Sequence, residues 1–436
     1  MKTIIPSIDT INSICGKQTP KTGEQYRYST YCVTVPSEDG TLLYHTLTGE
    51  LLLLSSALEE ADREWMIEHW FLVPEGFDEK AKTDQLRVIA GMLKKKSTRK
   101  TGFTILTTTD CNARCFYCYE IGLKRIPMTP ETAVKVANYI VSVCGGKKVR
   151  IQWFGGEPLY NRKVIDIICD RLRDCGIQYE SDMTSNGFYL DRDTSLHARD
   201  KWNLSKIQIT VDGTESVYNR TKAYIDADEN PYLRIMENIR CALETGIKVT
   251  VRMNLGEHNA KDLLTLADEL AERFHCYEGF QAYVATIRDF SGKMPIQTAT
   301  LIMKENYDRI CDRLVKHGFL RRRKLPSEIQ TSRCMADSDS HEVILPDGRV
   351  GRCEHCSDSM ITGSIQDNVR DKAVEKAWKE PLQVQECARC VVYPICKKLK
   401  MCEWNKDGCL ELDRMIAIDV LKDQIVKAYK DHKAEE

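Results

Sequence analysis

Between residues 103 and 287 the chain alternates strand-like and helix-like stretches six times over, and that rhythm leaves few folds open. The strand candidates are FTILTT (103–108), VRIQWF (149–154), QYESDMT (178–184), KIQITV (206–211), KVTVRMN (248–254) and FQAYVATI (280–287). Most are short runs enriched in apolar, β-branched or aromatic residues. Helical spacing fills most of the gaps, in PETAVKVANYIVSV, NRKVIDIICDRL, YLRIMENIRCALE and AKDLLTLADELAERF. Repeated strand–helix units predict a parallel sheet with helices outside, and right-handed crossovers curve such a sheet toward a full or partial barrel. Function then belongs at the carboxyl ends of the strands.

The flanks read differently. Residues 26–54, YRYSTYCVTVPSEDGTLLYHTLTGELLLL, alternate apolar and polar positions around turn signals at EDG and TG, which predicts a short β-meander. ALEEADREWMIEHW and FDEKAKTDQLRVIAGML carry helical spacing, and the basic run KKKSTRK (94–100) reads as a solvated linker. Beyond about residue 320 come short segments, Gly and Pro turns and dense cysteine, so metal is expected to take the place of a hydrophobic core. The closing LDRMIAIDVLKDQIVKAYKDH is an amphipathic helix whose apolar face is expected to pack on a neighbouring domain. A chain of 436 residues accommodates two or three domains. The boundaries are set at 1–97, 98–318 and 319–436.

Charge and hydropathy narrow the partners. Lys plus Arg against Asp plus Glu is 63 against 64, a net charge of −1, which favours neither nucleic acid nor an anionic membrane. MKTIIPSIDT lacks the apolar core of a signal peptide, and no stretch approaches the roughly 18 apolar residues of a membrane span. The expected location is the cytoplasm.

In a reducing compartment nineteen cysteines are metal ligands or buried hydrophobes rather than a disulfide framework. Eight of them, Cys15, Cys32, Cys144, Cys169, Cys175, Cys241, Cys276 and Cys311, are scattered singly, most in apolar helical runs where a thiol is a small core residue. Eight more fall between 334 and 409. The remaining three, Cys111, Cys115 and Cys118 in CNARCFYC, directly follow the first strand. Three thiols on one loop suit an iron–sulfur cluster with one iron open to a non-protein ligand. A zinc site would close with another Cys or His nearby, yet the next of each are Cys144 and His197.

CxxxCxxC after the first strand of such an array, with an aromatic residue before the last cysteine, resembles the radical S-adenosylmethionine enzymes. In that family the open iron is chelated by the amino and carboxylate groups of the cofactor's methionine moiety. Further motifs sit at successive strand ends. FGGEP resembles the family's GGEP motif, with Gly155 and Gly156 allowing close backbone approach and Glu157 or a nearby carbonyl receiving the methionine ammonium. TSNG places Ser185 and Asn186 for ribose or carboxylate oxygens. QITVDG places Thr210 where relatives carry Ser, and VRMN places Arg252 to pair with the cofactor carboxylate. Tyr117 is expected near the adenine. No residue is singled out as a general base.

The tail resembles the SPASM extension, which carries two auxiliary four-iron clusters in radical enzymes acting on peptides and proteins. The resemblance implies one cluster on Cys387, Cys390, Cys396 and Cys409, with Cys334, Cys353 and Cys402 contributing to the other. Relatives place a cysteine at the position of Lys400, whereas here the thiol is at Cys402. Cys356, in GRCEHCSD, is a candidate fourth ligand. If it is not one, that cluster keeps an open iron for a substrate thiolate. For CARC with a later Cys, a structural zinc is the competing assignment. YHTLTGELLLLS, between a turn and helices, resembles the RiPP recognition element, a small winged-helix-like module that binds the leader of a ribosomally made precursor peptide as an added strand. A module that only buttresses the barrel is the competing assignment there.

Together the resemblances imply an α/β chain: a partial (β/α)6 TIM-like barrel, an N-terminal winged-helix-like β/α module and a C-terminal cysteine-rich iron–sulfur domain. The implied activity is a peptide maturase using S-adenosyl-L-methionine and three [4Fe-4S] clusters. A 5′-deoxyadenosyl radical removes hydrogen from the peptide, which closes into a crosslink. The expected bond is a thioether, followed by carbon–carbon or carbon–oxygen crosslinks. Formylglycine formation, as in sulfatase maturases, and a noncatalytic iron–sulfur or zinc scaffold that binds peptides are the rivals. The implied partners are the precursor peptide and a reductant such as flavodoxin or ferredoxin.

Overall fold

The computed structural model describes residues 1–5, 16–21, 23–55, 59–93, 99–225, 230–287, 300–320, 325–326, 333–355, 357–367, 369–405 and 408–435. The N-terminal part runs through β1 (Lys2–Ile5), β2 (Tyr26–Tyr28), β3 (Cys32–Ser37), β4 (Gly40–His45), β5 (Leu51–Leu54), α1 (Glu60–Glu68), β6 (Leu72–Pro74) and α2 (Glu79–Leu93). An antiparallel sheet has the order β1-β5-β4-β3, and β2 pairs with β6 instead of joining the meander. The run LLLL in β5 is apolar throughout because both faces of the sheet are covered. Leu43 and Leu52 pack on Met66, Ile67 and Phe71, whereas Leu42, Leu51 and Leu53 face the far C-terminus of the chain. There Leu421, Ile425 and Tyr429 lie on the long closing helix (Glu411–Glu435), so its apolar face packs on another part of the chain as expected.

A polar seam runs through this module. His45, 1% exposed, has its Nε2 3.0 Å from Ser29 Oγ, while its Nδ1 accepts from the Thr48 backbone N–H at 3.2 Å. Burial pushes the imidazole pKa down to about 4, against the opposing pull of the Glu79 carboxylate and the Trp70 backbone. The unfolded chain would titrate near 6.5. The stability tied to neutral His45 is therefore complete above about pH 6.5 and lost as pH falls toward 4. The expected loss is about 3 kcal/mol across that window. Thermal unfolding of His45→Gln should show a correspondingly flatter pH dependence, and parallel curves for the two proteins would refute the assignment.

The central part adds β7 (Gly102–Leu106), α3 (Pro130–Cys144), β8 (Val149–Phe154), α4 (Arg162–Asp174), β9 (Tyr179–Ser185), α5 (Arg192–Lys201), β10 (Leu204–Thr210), α6 (Glu215–Lys222), α7 (Pro231–Glu244), β11 (Lys248–Leu255), α8 (Ala260–Phe274), β12 (Phe280–Thr286) and α9 (Thr300–Lys316). All six predicted strands are present. They are parallel and ordered β12-β11-β10-β9-β8-β7, as expected of consecutive strand–helix units. Helix ends follow local chemistry. Thr129 caps α3 by accepting from the Thr132 N–H ahead of Pro130, and Gly145 ends it at φ 60°.

The cysteine-rich part departs from expectation in one respect. β13 (His341–Ile344) lies parallel to β7 and continues the same sheet, followed by antiparallel β14 (Arg349–Gly351) and β15 (Gly363–Ser364). Ile344 and Val350 join the barrel's own apolar core, so hydrophobic packing as well as cysteine organises this part. Lys100, at the end of the run taken for a solvated linker, pairs with buried Glu342 at 3.2 Å. Residues 94–98 of that run lie outside the described residues. Of the scattered cysteines, Cys144, Cys169 and Cys241 are buried as expected. Cys175 and Cys276 are exposed, because each follows the end of a helix rather than lying on its inner face. Cys15 lies outside the described residues.

Candidate active site

The parallel strands deliver the predicted motifs to one edge. Register sets Leu106 beside Phe154, Ile209 beside Ser185 and Thr210 beside Arg252. The cysteine loop is then locked in from two sides. On one side the turn after β8 presses against it: the Gly156 N–H donates to Thr108 O at 3.0 Å and the Glu157 N–H to Asp110 O at 3.0 Å. Gly155 has φ 135°, and a Cβ there would strike the Thr108 carbonyl oxygen, while one on Gly156 would strike that of Asp110. Both glycines of FGGEP are thus needed for close approach to the loop. On the other side the Arg114 N–H donates to Lys222 O at 2.8 Å and the Ile225 N–H to Asn112 O at 3.0 Å.

Glu157 is fully buried and its carboxyl is used within the protein. It accepts from Ser185 Oγ at 2.7 Å, the Asn186 N–H at 2.7 Å and the Leu159 N–H at 3.0 Å. Burial raises its pKa to about 7 against these stabilising donors. Asn186 in turn donates to Asn112 Oδ1 at 2.7 Å and reaches Cys111 Sγ at 3.7 Å. Glu157, Ser185 and Asn186 therefore form a clamp behind Cys111.

Behind Cys115 lies a group that sequence reasoning did not foresee. Asp212 is 0% exposed and Lys222 is 2% exposed, with Nζ and Oδ2 2.8 Å apart. Lys222 also donates to Tyr117 Oη at 2.9 Å and Thr210 Oγ1 at 2.7 Å. Tyr117 donates to Asp212, which also accepts from Asn254 Nδ2 at 2.8 Å. Burial alone would push the Lys222 ammonium down, but Asp212, Tyr117, Cys115 and Tyr218 outweigh it and hold the pKa well above the ordinary lysine value. Arg252 donates from Nε to Asn254 Oδ1 at 2.9 Å and so joins the same network at its edge. Glu120, just past the loop, is also unforeseen: burial pushes its carboxyl up to about 8. A charged residue before Gly in VDG, and a lysine ten positions on, were the available signals for the ion pair.

The donor set on this loop is three thiols, which suits a cluster with one iron open. A four-iron cluster takes each thiolate on a different iron, so it requires thiols that are neighbours yet apart. Cys111 is raised to about 12, first by burial and Glu157 and then by the neighbouring Cys115 and Cys118. Burial likewise raises Cys118 to about 12, with Cys115 contributing. The Ala113 N–H, 3.3 Å from Cys111 Sγ, supplies a donor to sulfur.

Two further thiol groups lie in the C-terminal part. Cys387 feels the charges of Cys396 and Cys409, and Cys390 those of Cys396, Cys409 and Cys387, so these four predicted partners are neighbours. Cys353 and Cys402 share an apolar cluster with Ala336, Trp378 and Leu399, which puts the displaced thiol Cys402 beside a predicted partner. Cys334 is exposed, next to the short turn Met335–Asp337. Cys356 lies outside the described residues. Tyr119, next to Cys118, packs its ring 3.9 Å from that of His355, whose backbone N–H lies 3.4 Å from Cys353 Sγ.

Parallel strands with a thiol loop at their carboxyl edge define the fold class, and comparison with known proteins gives it a name. Residues 105–270 match the family model of the Radical SAM superfamily. An uncharacterized protein of Methanocaldococcus jannaschii is 30% identical over 112 residues, 25% of this chain and 37% of that one. The radical SAM cyclopropyl synthase TigE of Paramaledivibacter caminithermalis is 26% identical over 156 residues, 29% of this chain and 32% of that one. The chain thus spans about a third of the length of these two relatives. Among solved structures, anSMEcpe with bound AdoMet superposes with a TM-score of 0.59 at 14% identity, over 77% of this chain and 96% of that one. Streptococcus suis SuiB bound to its precursor peptide SuiA gives a TM-score of 0.53 at 10% identity, over 88% and 95%. These likenesses establish the fold. No helix among the described residues is long and apolar enough to cross a membrane.

Proposed function

We propose that this chain is a radical S-adenosylmethionine peptide maturase that installs oxidative crosslinks, thioethers first among them, in a ribosomally made precursor. The observation that carries the reading is the clamping of the Cys111–Cys118 loop by the GGEP and TSNG residues at a single strand edge. When bound there, the cluster and S-adenosylmethionine supply abstraction of an unactivated hydrogen atom; the protein supplies binding, orientation and exclusion of water. Cys111, Cys115 and Cys118 would hold the cluster. Tyr117, Gly155, Gly156, Ser185, Asn186, Thr210 and Arg252 would surround the cofactor. Glu157, with its oxygens already engaged by Ser185, Asn186 and Leu159, keeps the clamp rigid.

In the C-terminal part Cys387, Cys390, Cys396 and Cys409 would hold one auxiliary cluster. Cys334, Cys353, Cys402 and Cys356 would hold the other. These clusters would accept the electron left when a carbon radical closes onto a sulfur. The peptide assignment is supported by the N-terminal sheet, which ends on β3 with no further strand beside it among the described residues. Such an edge can pair an extended leader through main-chain hydrogen bonds, and Pro36 is tolerated on it because an edge residue need not donate. SuiB, one of the structural neighbours, is described as bound to a precursor peptide. We place the protein in the cytoplasm with a flavodoxin or ferredoxin as reductant.

Co-expression with a candidate precursor peptide, followed by intact mass and fragmentation, tests the reading. Each crosslink should remove two hydrogens, and the fragments should stop at the linked residues. An unmodified peptide from a preparation that cleaves S-adenosylmethionine would refute the crosslinking assignment.

A further inference from the structure

The N-terminal module and the distal cysteine group are not separate bodies. The loop from Cys387 to Cys396 rests on α2, and the attachments are polar and specific. Arg87, whose side chain is 5% exposed, donates from Nη2 to the Tyr393 carbonyl and lays its guanidinium over the Tyr393 ring at 4.4 Å. The Tyr393 hydroxyl donates to Asp84 Oδ1 at 2.5 Å, one helical turn back from Arg87. Thr46, from the turn after β4, donates to Val391 O at 2.7 Å. Tyr393 is itself tied to the cysteines: its N–H donates to Cys390 O at 3.0 Å, and the Cys396 N–H donates to its carbonyl at 3.2 Å. Leu86 packs in the same apolar cluster as Tyr393, with Cys387 and Cys390 against it.

Two donors in this region find no acceptor among the described residues. The Nε–H groups of Arg87 and Arg333 are buried and without a hydrogen-bond partner. A buried donor on a cation left unmet is costly, so it calls for an acceptor. Arg87 packs on the loop that carries Cys387, Cys390 and Cys396, a position suited to a sulfur-rich anion, which is what thiolates on an iron–sulfur core amount to.

We propose that α2 of the N-terminal module is part of the wall of the distal cluster site, with Arg87 a positioning residue that seats the Cys387–Cys396 loop and sets the potential of the cluster held there. This rests on the auxiliary-cluster reading above. It gives the N-terminal module a second role besides leader binding, because whatever shifts α2 is felt at the distal cluster. A cation beside the cluster favours its reduced, more negative state, so removing it lowers the midpoint potential.

The test uses the full-length, reconstituted chain. Iron and sulfide are counted, and potentiometric titrations followed by electron paramagnetic resonance are run on wild type, Cys390→Ala, Arg87→Met and Arg87→Lys. Cys390→Ala should lose about four irons per chain and one set of signals, which identifies the distal cluster; unchanged iron in that variant overturns the cluster reading itself. Given that loss, Arg87→Met should move the same signals to more negative potential or lose that cluster's iron alone, and Arg87→Lys should return them toward wild type. Wild-type iron and superimposable titrations in Arg87→Met would overturn the inference while leaving the cluster reading intact. If Arg87→Met fails to fold, Arg87→Gln removes the charge while keeping a donor for the Tyr393 carbonyl, and the same shift or its absence decides.

Discussion

Cys115→Ala is expected to remove about four iron atoms per chain and to reduce S-adenosylmethionine cleavage by more than a hundredfold, while leaving the fold intact. The fold should survive because the change trims one sulfur from a surface-edge loop, half-buried and outside the barrel's apolar core. The loop's main-chain anchors, Thr108 to Gly156, Asp110 to Glu157 and Lys222 to Arg114, do not involve the thiol. Iron should be lost because only three cysteines lie on this loop and a fourth position is expected to be filled by the cofactor. Removal of one thiolate leaves two, too few to retain a four-iron core. Cys144→Ala is the control. That thiol is fully buried in α3, so its loss should lower thermal stability and leave the iron count unchanged. Cofactor cleavage persisting in Cys115→Ala with a full iron complement would sink the assignment of the loop.

The six parallel strands were legible because each is a run of several apolar or β-branched residues between turn signals, and the helices between them carry a clear inner face. Strands that escaped are short: KTII, LVP and HEVI have too few residues for a period to show. HEVI was hidden for a second reason. Its partner, β7, lies more than two hundred residues earlier, and a parallel pairing over that distance leaves no local mark. The cysteine loop and its glycine clamp could be found from spacing, since the need for Gly155 and Gly156 is written in the motif. Finding that Glu157 spends its oxygens on Ser185 and Asn186 required three dimensions, because the partners lie nearly thirty residues on. Arg252 was chosen from VRMN for its charge, yet Asn254 of the same motif makes the contact with Asp212. Charged residues are read by default as solvated, and that default concealed Asp212 and Lys222.

That pair sets the second large expectation: Lys222→Met should cost about 3–5 kcal/mol of stability, because it strands a carboxylate buried away from solvent. Asp212 is 0% exposed and has only amide donors from Asn254 and the Tyr117 hydroxyl to replace the ammonium. Asp212→Asn leaves Lys222 without its counter-charge and should be comparably harmful. The double replacement, Asp212→Asn with Lys222→Met, removes both charges and should recover a large part of the loss. The comparison separates a true charge pair from two residues that each happen to be well packed, since only the former gives a coupling energy well above about 1 kcal/mol. Function should follow stability only in part. Lys222 also holds Tyr117 and Thr210, so in the double variant the fold is restored while both side chains lose their donor. A double variant that unfolds like wild type but binds S-adenosylmethionine more weakly would assign the pair to positioning Tyr117 and Thr210 at the cofactor. Simple additivity of the two single losses would show that the ion pair is incidental to both.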